Sequence, residues 1–311
     1  MKKFGKFTLA VLVSLFVFTA ANAQDLNQVT DLYNGAATAL NEGKNVEALE
    51  GFQKALTAAT VLGEEGAQIA TDCKNIIPKI YLQIGKDAAS KQNFQEAISN
   101  LKNAVAKGTE YAQVETVKDA KELISQISLA EGNNLLNAQD YAGAIEKYKS
   151  VIADDPQNGK AYYVLGVAYN QMDNEAEAIT ALTKAAELGE KEDADTMLAK
   201  IYLIKANNAL KAKNNAAAIE NGLKSAEYKD TPQANKIIGV ASFVSKKYDQ
   251  AITSLEKVAA TNEKAYDVKY YLARSYEAKG NKTKACANYK AAAADPRFKQ
   301  YCDSKVATLC K

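Results

Sequence analysis

Seven times along this 311-residue chain a small residue is followed twelve positions later by an alanine, and no other feature limits the possible folds so tightly. The pairs are Ala36 with Ala48, Gly85 with Ala97, Gly132 with Ala144, Gly166 with Ala178, Ala206 with Ala218, Gly239 with Ala251, and Ala273 with Ala285. Four residues beyond each alanine stands a larger apolar residue (Phe52, Leu101, Tyr148, Leu182, Leu255, Tyr289), except that Gly222 takes the place in the fifth. Such spacing suits two helices folded back on each other, which approach closely only where neither side chain protrudes. The bulky residue one turn on is expected to fill the groove toward the next hairpin.

The clearest copy is Gly159–Gly189, where Tyr162, Leu165, Gly166 and Tyr169 share one helical face and Ala178, Leu182 and Ala185 share another. Abundant Ala, Leu, Lys, Glu and Asn, with only 4 prolines and 8 phenylalanines, favour helix over strand. Asn93, Asp140, Asn174, Asn214 and Asn281 precede second helices as predicted N-caps. Pro156, Pro232 and Pro296 fall between hairpins, and Pro78 alone falls inside a predicted helix, which it should kink.

With these residues in view, the chain resembles the tetratricopeptide repeat (TPR) family, whose period is about 34 residues. Gly159–Gly189 follows the family pattern at nearly every position, with Tyr162 where tryptophan is usual. Ser125–Pro156 follows it through Gly132, Ala144, Tyr148 and Pro156, and Tyr266–Asp295 through Leu272, Ala273, Tyr276, Ala285, Tyr289 and Ala292. The resemblance implies an all-α, right-handed superhelical array of about seven hairpins. The units fall near 29–62, 66–108, 113–156, 159–189, 193–228, 232–262 and 266–295, with a capping helix over 297–311. Three steps exceed the period, and their surplus residues are helical in pattern, predicting lengthened first helices. A single array over 24–311 is the reading adopted; a split near 113–125 is the alternative.

Residues 1–23 read as a secretory signal peptide: Lys2, Lys3 and Lys6, an apolar run from Phe7 to Phe18, then Ala21-Asn22-Ala23. Export to the periplasm is expected first, with secretion or peripheral attachment to the envelope as alternatives. No integral membrane segment is expected after the leader is removed. The remainder holds 36 basic and 37 acidic residues, a balance that argues against nucleic acid as a partner. Asp173–Asp195 is acidic and Lys264–Lys311 basic, which leaves room for self-association between charged regions. Among the four cysteines, Cys286 is expected to pair with Cys302 or Cys310. Cys302 and Cys310 themselves would stand about 12 Å apart on one helix.

The chain has no histidine, which removes imidazole bases, Ser-His and Cys-His pairs and the commonest metal ligand. It has no C-x-x-C pair, P-loop or Gly-rich dinucleotide turn, and the neighbours Glu64-Glu65 and Asp154-Asp155 read as surface charge. No catalytic residue, metal site or cofactor is therefore expected. By the resemblance, first helices line a concave face, and residues one step off the packing stripe would meet a protein or peptide there. These are Lys86, Asn133, Asn137, Tyr163, Val167, Asn170, Asn207, Lys236, Phe243, Tyr270 and Arg274. The Lys/Asn/Arg clamp by which some family members hold acidic C-terminal tails is not found on three consecutive units. The expected function is a non-catalytic, exported protein- or peptide-binding scaffold in cell-envelope assembly or maintenance. A structural, self-associating envelope protein is the alternative.

Overall fold

The computed structural model describes residues 23–310 and is helical throughout, with no strand among the described residues. The signal-peptide reading lies outside them but for Ala23, where the first helix begins. In chain order the helices are α1 (Ala23–Asn41), α2 (Asn45–Val61), α3 (Ala67–Ser90), α4 (Phe94–Glu110), α5 (Val114–Asn137), α6 (Tyr141–Asp154), α7 (Gly159–Gln171) and α8 (Glu175–Glu187). There follow α9 (Lys191–Lys211), α10 (Asn215–Tyr228), α11 (Pro232–Val244), α12 (Tyr248–Thr261), α13 (Tyr266–Ala278), α14 (Lys282–Ala292) and α15 (Pro296–Leu309). The chain forms two compact units that divide within α5, the first ending at Asn134 and the second beginning at Leu135.

The surplus residues of the three long steps lengthen α3, α5 and α9 to 24, 24 and 21 residues. Pro78 does not interrupt α3, which runs on through it with the proline buried.

Every hairpin turns in the same way, and the sequence hides how. One residue adopts positive φ just before each second helix: Gly43, Gln92, Gln139, Asp173, Lys213, Lys246 and Gly280. The next N–H donates to the carbonyl five residues back, as Asn93 does to Ala88 (3.0 Å), Asn174 to Tyr169 (3.0 Å) and Lys247 to Ser242 (2.8 Å). This left-handed closure satisfies carbonyls that the ending helix leaves free, and five of the seven positions use no glycine for it. The predicted N-caps divide. Asp140, Asn214 and Asn281 accept from the backbone N–H of Gly143, Ala217 and Lys284. Asn93 and Asn174 make no such bond, a correction; the Asn93 amide instead donates to Glu96 at 2.6 Å.

In the first unit, α2 packs on α1 and α3, and α3 on α4. Ala36, Ala48, Phe52, Cys73, Ile77 and Ile80 form one core, and Leu82, Ala97, Leu101, Ala120, Leu123 and Ile127 another. In the second unit, consecutive helices pack from α6 through α15. Its first helices also touch one another, α7 to α9, α9 to α11, α11 to α13 and α13 to α15, while α8, α10, α12 and α14 do not meet. The first helices thus line the tighter, inner side of this unit.

The bulky residue of each second helix does more than fill the groove to the next hairpin, and the expectation needs amending. A Cβ on Gly85 would stand 2.7 Å from Leu101 Cγ, and one on Gly239 2.4 Å from Leu255 Cγ. The glycine therefore makes room for the leucine of its own hairpin. Leu182 both covers Gly166 and joins Leu198 and Ile201 of α9 in a shared core. Burying one such leucine stabilises by about 1.5–3 kcal/mol. Where Gly222 breaks the pattern, Ile238 of the following hairpin moves over it, its Cγ1 2.7 Å from where a Cβ would be.

Candidate binding surface

The predicted groove residues fall in different surroundings. Lys86, half-buried on α3, and Asn133, exposed on α5, belong to the first unit. In the second, Asn137 is exposed, while Val167 and Asn170 on α7 and Asn207 on α9 are half-buried. Tyr163 lies beneath the Lys160 ammonium, 4.8 Å from its ring centre. Burial, and then Asp193 of α9 and Glu190 just before it, push its phenol above the ordinary range. Lys236 on α11 pairs with Asp267 on α13 at 2.6 Å and ties two first helices together.

Three of the predicted residues meet. The Arg274 guanidinium carbon lies 4.8 Å from the Phe243 ring centre and 5.4 Å from that of Tyr270. Its Nη1 donates to Tyr270 Oη at 3.1 Å. Both rings are thus within cation–π distance of the guanidinium, whose bond to Tyr270 uses one of its five N–H groups.

Four aromatic residues complete the cluster and are absent from the predicted set. Phe298 of α15 stacks on Tyr270 at 4.6 Å and 18°. Tyr301 meets the Tyr270 ring edge-on at 5.6 Å and lies 5.8 Å from the Arg274 guanidinium carbon. Tyr271 and Tyr248 support Phe243 at 5.3 and 6.1 Å. The capping helix packs Phe298, Val306 and Leu309 against the core of the last hairpin and fully buries Cys302, while Tyr301 is 40% exposed. The helical spacing of Phe298 and Tyr301 places them on one side of α15, but the sequence does not say which rings they meet.

A second polar group secures α15. Lys305 donates to Glu277 Oε1 at 2.6 Å, and Tyr289 Oη donates to the other carboxylate oxygen at 2.6 Å. Burial pushes the Glu277 carboxyl up, but the bonds from Lys305 and Tyr289 outweigh it and hold the group below its ordinary range. The Tyr289 phenol is raised by burial and by that same bond. Glu277 is thus engaged twice, and Arg274 makes no ion pair among the described residues. Of the two candidate partners of Cys286, the structure joins it to Cys310, Cα to Cα 5.7 Å, and leaves Cys302 and Cys73 as buried thiols. The described residues hold no group of His, Cys, Asp and Glu suited to a metal ion, and no helix among them is long and apolar enough to cross a membrane.

No curated protein matches the sequence. Among solved structures the chain is similar to the MamA protein, at 24% identity over 57% of this chain and 94% of that one, with a TM-score of 0.37. It is also similar to YrrB, described as a TPR protein with an unusual peptide-binding site (21%, 53% and 83%, TM-score 0.36). A third is PilW, described as a widely conserved type IV pilus biogenesis factor (19%, 55% and 77%, TM-score 0.28). Family models described as tetratricopeptide repeat match residues 135–201 and 241–297, both within the second unit. With its helical hairpins, twelve-residue pairing of small residues and these two matches, the chain carries tetratricopeptide repeats within its second unit.

Proposed function

We propose that this protein is a non-catalytic scaffold, exported from the cytoplasm and serving the cell envelope, which holds a protein or peptide segment along the inner side of its second unit. One observation carries the reading: the first helices α7, α9, α11 and α13 are contiguous and present half-buried amides, aromatics and one arginine in series. Amides pair with an extended backbone, and aromatics supply contact area at small entropic cost. The absence of histidine and the exposure of Glu64, Glu65, Asp154 and Asp155 support a role without acid–base chemistry. Export rests on the leader-like residues 1–23.

A photo-reactive residue in place of Asn170 or Val167 tests the reading in intact cells, with Thr253 on a second helix as control. Adducts to one protein from α7 and not from α12 are expected. Equal yields from both sides would overturn it.

The self-associating alternative has one observation in its favour. A recess of about 670 Å³ opens at α1 and α2, lined by Leu32, Gly35, Ala36 and Ala39 beside Asp31, Glu47, Glu50 and Lys54. Charge matching to the opposite end is weak, because Arg297 and Lys299 of α15 are already paired with Asp295 and Asp303 at 2.6 and 2.8 Å. Light scattering distinguishes the two: assembly by charge predicts a mass above one chain that falls as salt rises.

A further inference from the structure

We infer that Arg274, with the rings around it, captures the carboxylate of an aspartate or glutamate side chain in the bound segment. The inference rests on the reading that the inner side of the second unit binds such a segment, and it names the chemistry at one point of that surface.

The argument begins with charge. Arg274 is half-buried and makes no ion pair among the described residues, although the Glu277 carboxylate feels its charge, and taking a cation partly out of water is costly. The carboxylate on the same helix, Glu277, is committed to Lys305 and Tyr289. The Lys236–Asp267 pair on the neighbouring turns is likewise closed on itself. Cation–π contact with Phe243, Tyr270 and Tyr301 offsets part of the cost, and one N–H is used by Tyr270 Oη. The other N–H groups make no ion pair among the described residues.

Geometry then selects the ligand. With Nη1 engaged by Tyr270, the Nε and Nη2 N–H groups remain, and a pair of parallel guanidinium N–H groups matches the two oxygens of a carboxylate. Tyr270 is held in place by the stacked Phe298, and Phe243 by Tyr271 and Tyr248, so little order need be gained on binding. A side-chain carboxylate can meet this group from any point along an extended segment, whereas a main-chain carboxylate can do so only at the segment's end. The backbone of the segment would stay on the rim, beside the exposed Tyr301.

Selection from a library of short random peptides, acetylated and amidated so that no terminal charge contributes, tests this on the full chain and on Arg274→Gln and Arg274→Lys variants. Enrichment of Asp or Glu by the wild type is expected, with affinity for a selected peptide falling about tenfold or more in Arg274→Gln, as loss of a charge-assisted pair implies. Replacing the peptide's acid by its amide should cost as much on the wild type and little on the variant. Arg274→Lys should recover part of the loss, and circular dichroism must show each variant folded as the wild type. Peptides selected without acidic enrichment, or binding indifferent to Arg274 in folded variants, would overturn the carboxylate while leaving the binding surface in place. Selection of no peptide at all would overturn both.

Discussion

Gly166 lies so close beneath Leu182 that a Cβ on the glycine would stand 2.6 Å from the leucine Cγ and 3.0 Å from its Cδ2. The carbonyl of Ala178 would be 3.2 Å away, so the leucine cannot yield without parting the two helices. Gly166→Ala is therefore expected to cost about 1–3 kcal/mol by overpacking, and Gly166→Leu more. Leu182→Ala leaves a cavity and costs about 2–5 kcal/mol by itself. The double variant Gly166→Ala/Leu182→Ala should be less destabilised than the sum, since each change relieves the other. Urea unfolding of the four proteins measures the coupling, and strict additivity would contradict this packing.

That relationship also shows how far the sequence could be read. The seven small–alanine pairs located the hairpins because close approach leaves a fixed spacing, and surplus helical residues foretold long α3, α5 and α9. The partner of Gly222 could not be read in the same way. Ile238, which covers it, belongs to the next hairpin, and only stacking brings the two together. The cluster around Arg274 was half legible for the same reason. Phe243, Tyr270 and Arg274 lie on first helices whose register the small–alanine pairs set, but Phe298 and Tyr301 lie on α15, which has no second helix to set a register. The turns hid their conformation because Gln92, Gln139, Asp173, Lys213 and Lys246 carry no glycine signal for positive φ.

Those turns support a prediction of opposite signs. Lys213 has φ of 58° and Gly280 φ of 76° at equivalent places in their hairpins. An L-residue in the left-handed region costs about 1–2 kcal/mol. Lys213→Gly should remove that cost, less the extra entropy glycine brings to the unfolded chain, for a net gain of up to about 1 kcal/mol. Gly280→Ala should lose about as much. Thermal melts that move both variants the same way would refute the assignment.

Alkali should unfold both units through groups kept protonated by burial. Burial pushes the phenols of Tyr33 in the first unit and Tyr148 in the second from 10.0 up to about 12, and the Cys73 thiol from 9.0 up to about 12. Each acid binds its proton more tightly when folded, so its contribution is complete below the unfolded value and is lost as pH rises through the folded one. Urea midpoints should hold steady to about pH 9, then fall steadily toward pH 12. Tyr148→Phe should shallow that fall for the second unit and leave the Tyr33 and Cys73 share unchanged. A midpoint flat across this window would contradict the burial of these groups.

The cap depends on two attachments of different kinds, and separating them gives the last prediction. Cys286–Cys310 joins α14 to the end of α15 across 24 residues, and closing a loop of that size stabilises by roughly 3 kcal/mol through the unfolded chain. Lys305 with Glu277 is a partly exposed pair, worth about 1 kcal/mol or less. Cys286→Ser/Cys310→Ser should therefore lower stability well beyond Lys305→Met, and reduction should match the double serine variant. Because the loop holds most of α14 and α15, limited proteolysis should then cut within 290–310 before the rest of the chain. Phe298 and Tyr301 would leave Tyr270 in that opened state, so the reduced protein should also lose the aromatic frame of Arg274. Unchanged proteolysis after complete reduction would show that the apolar face of α15, with Cys302 fully buried, suffices to hold the cap.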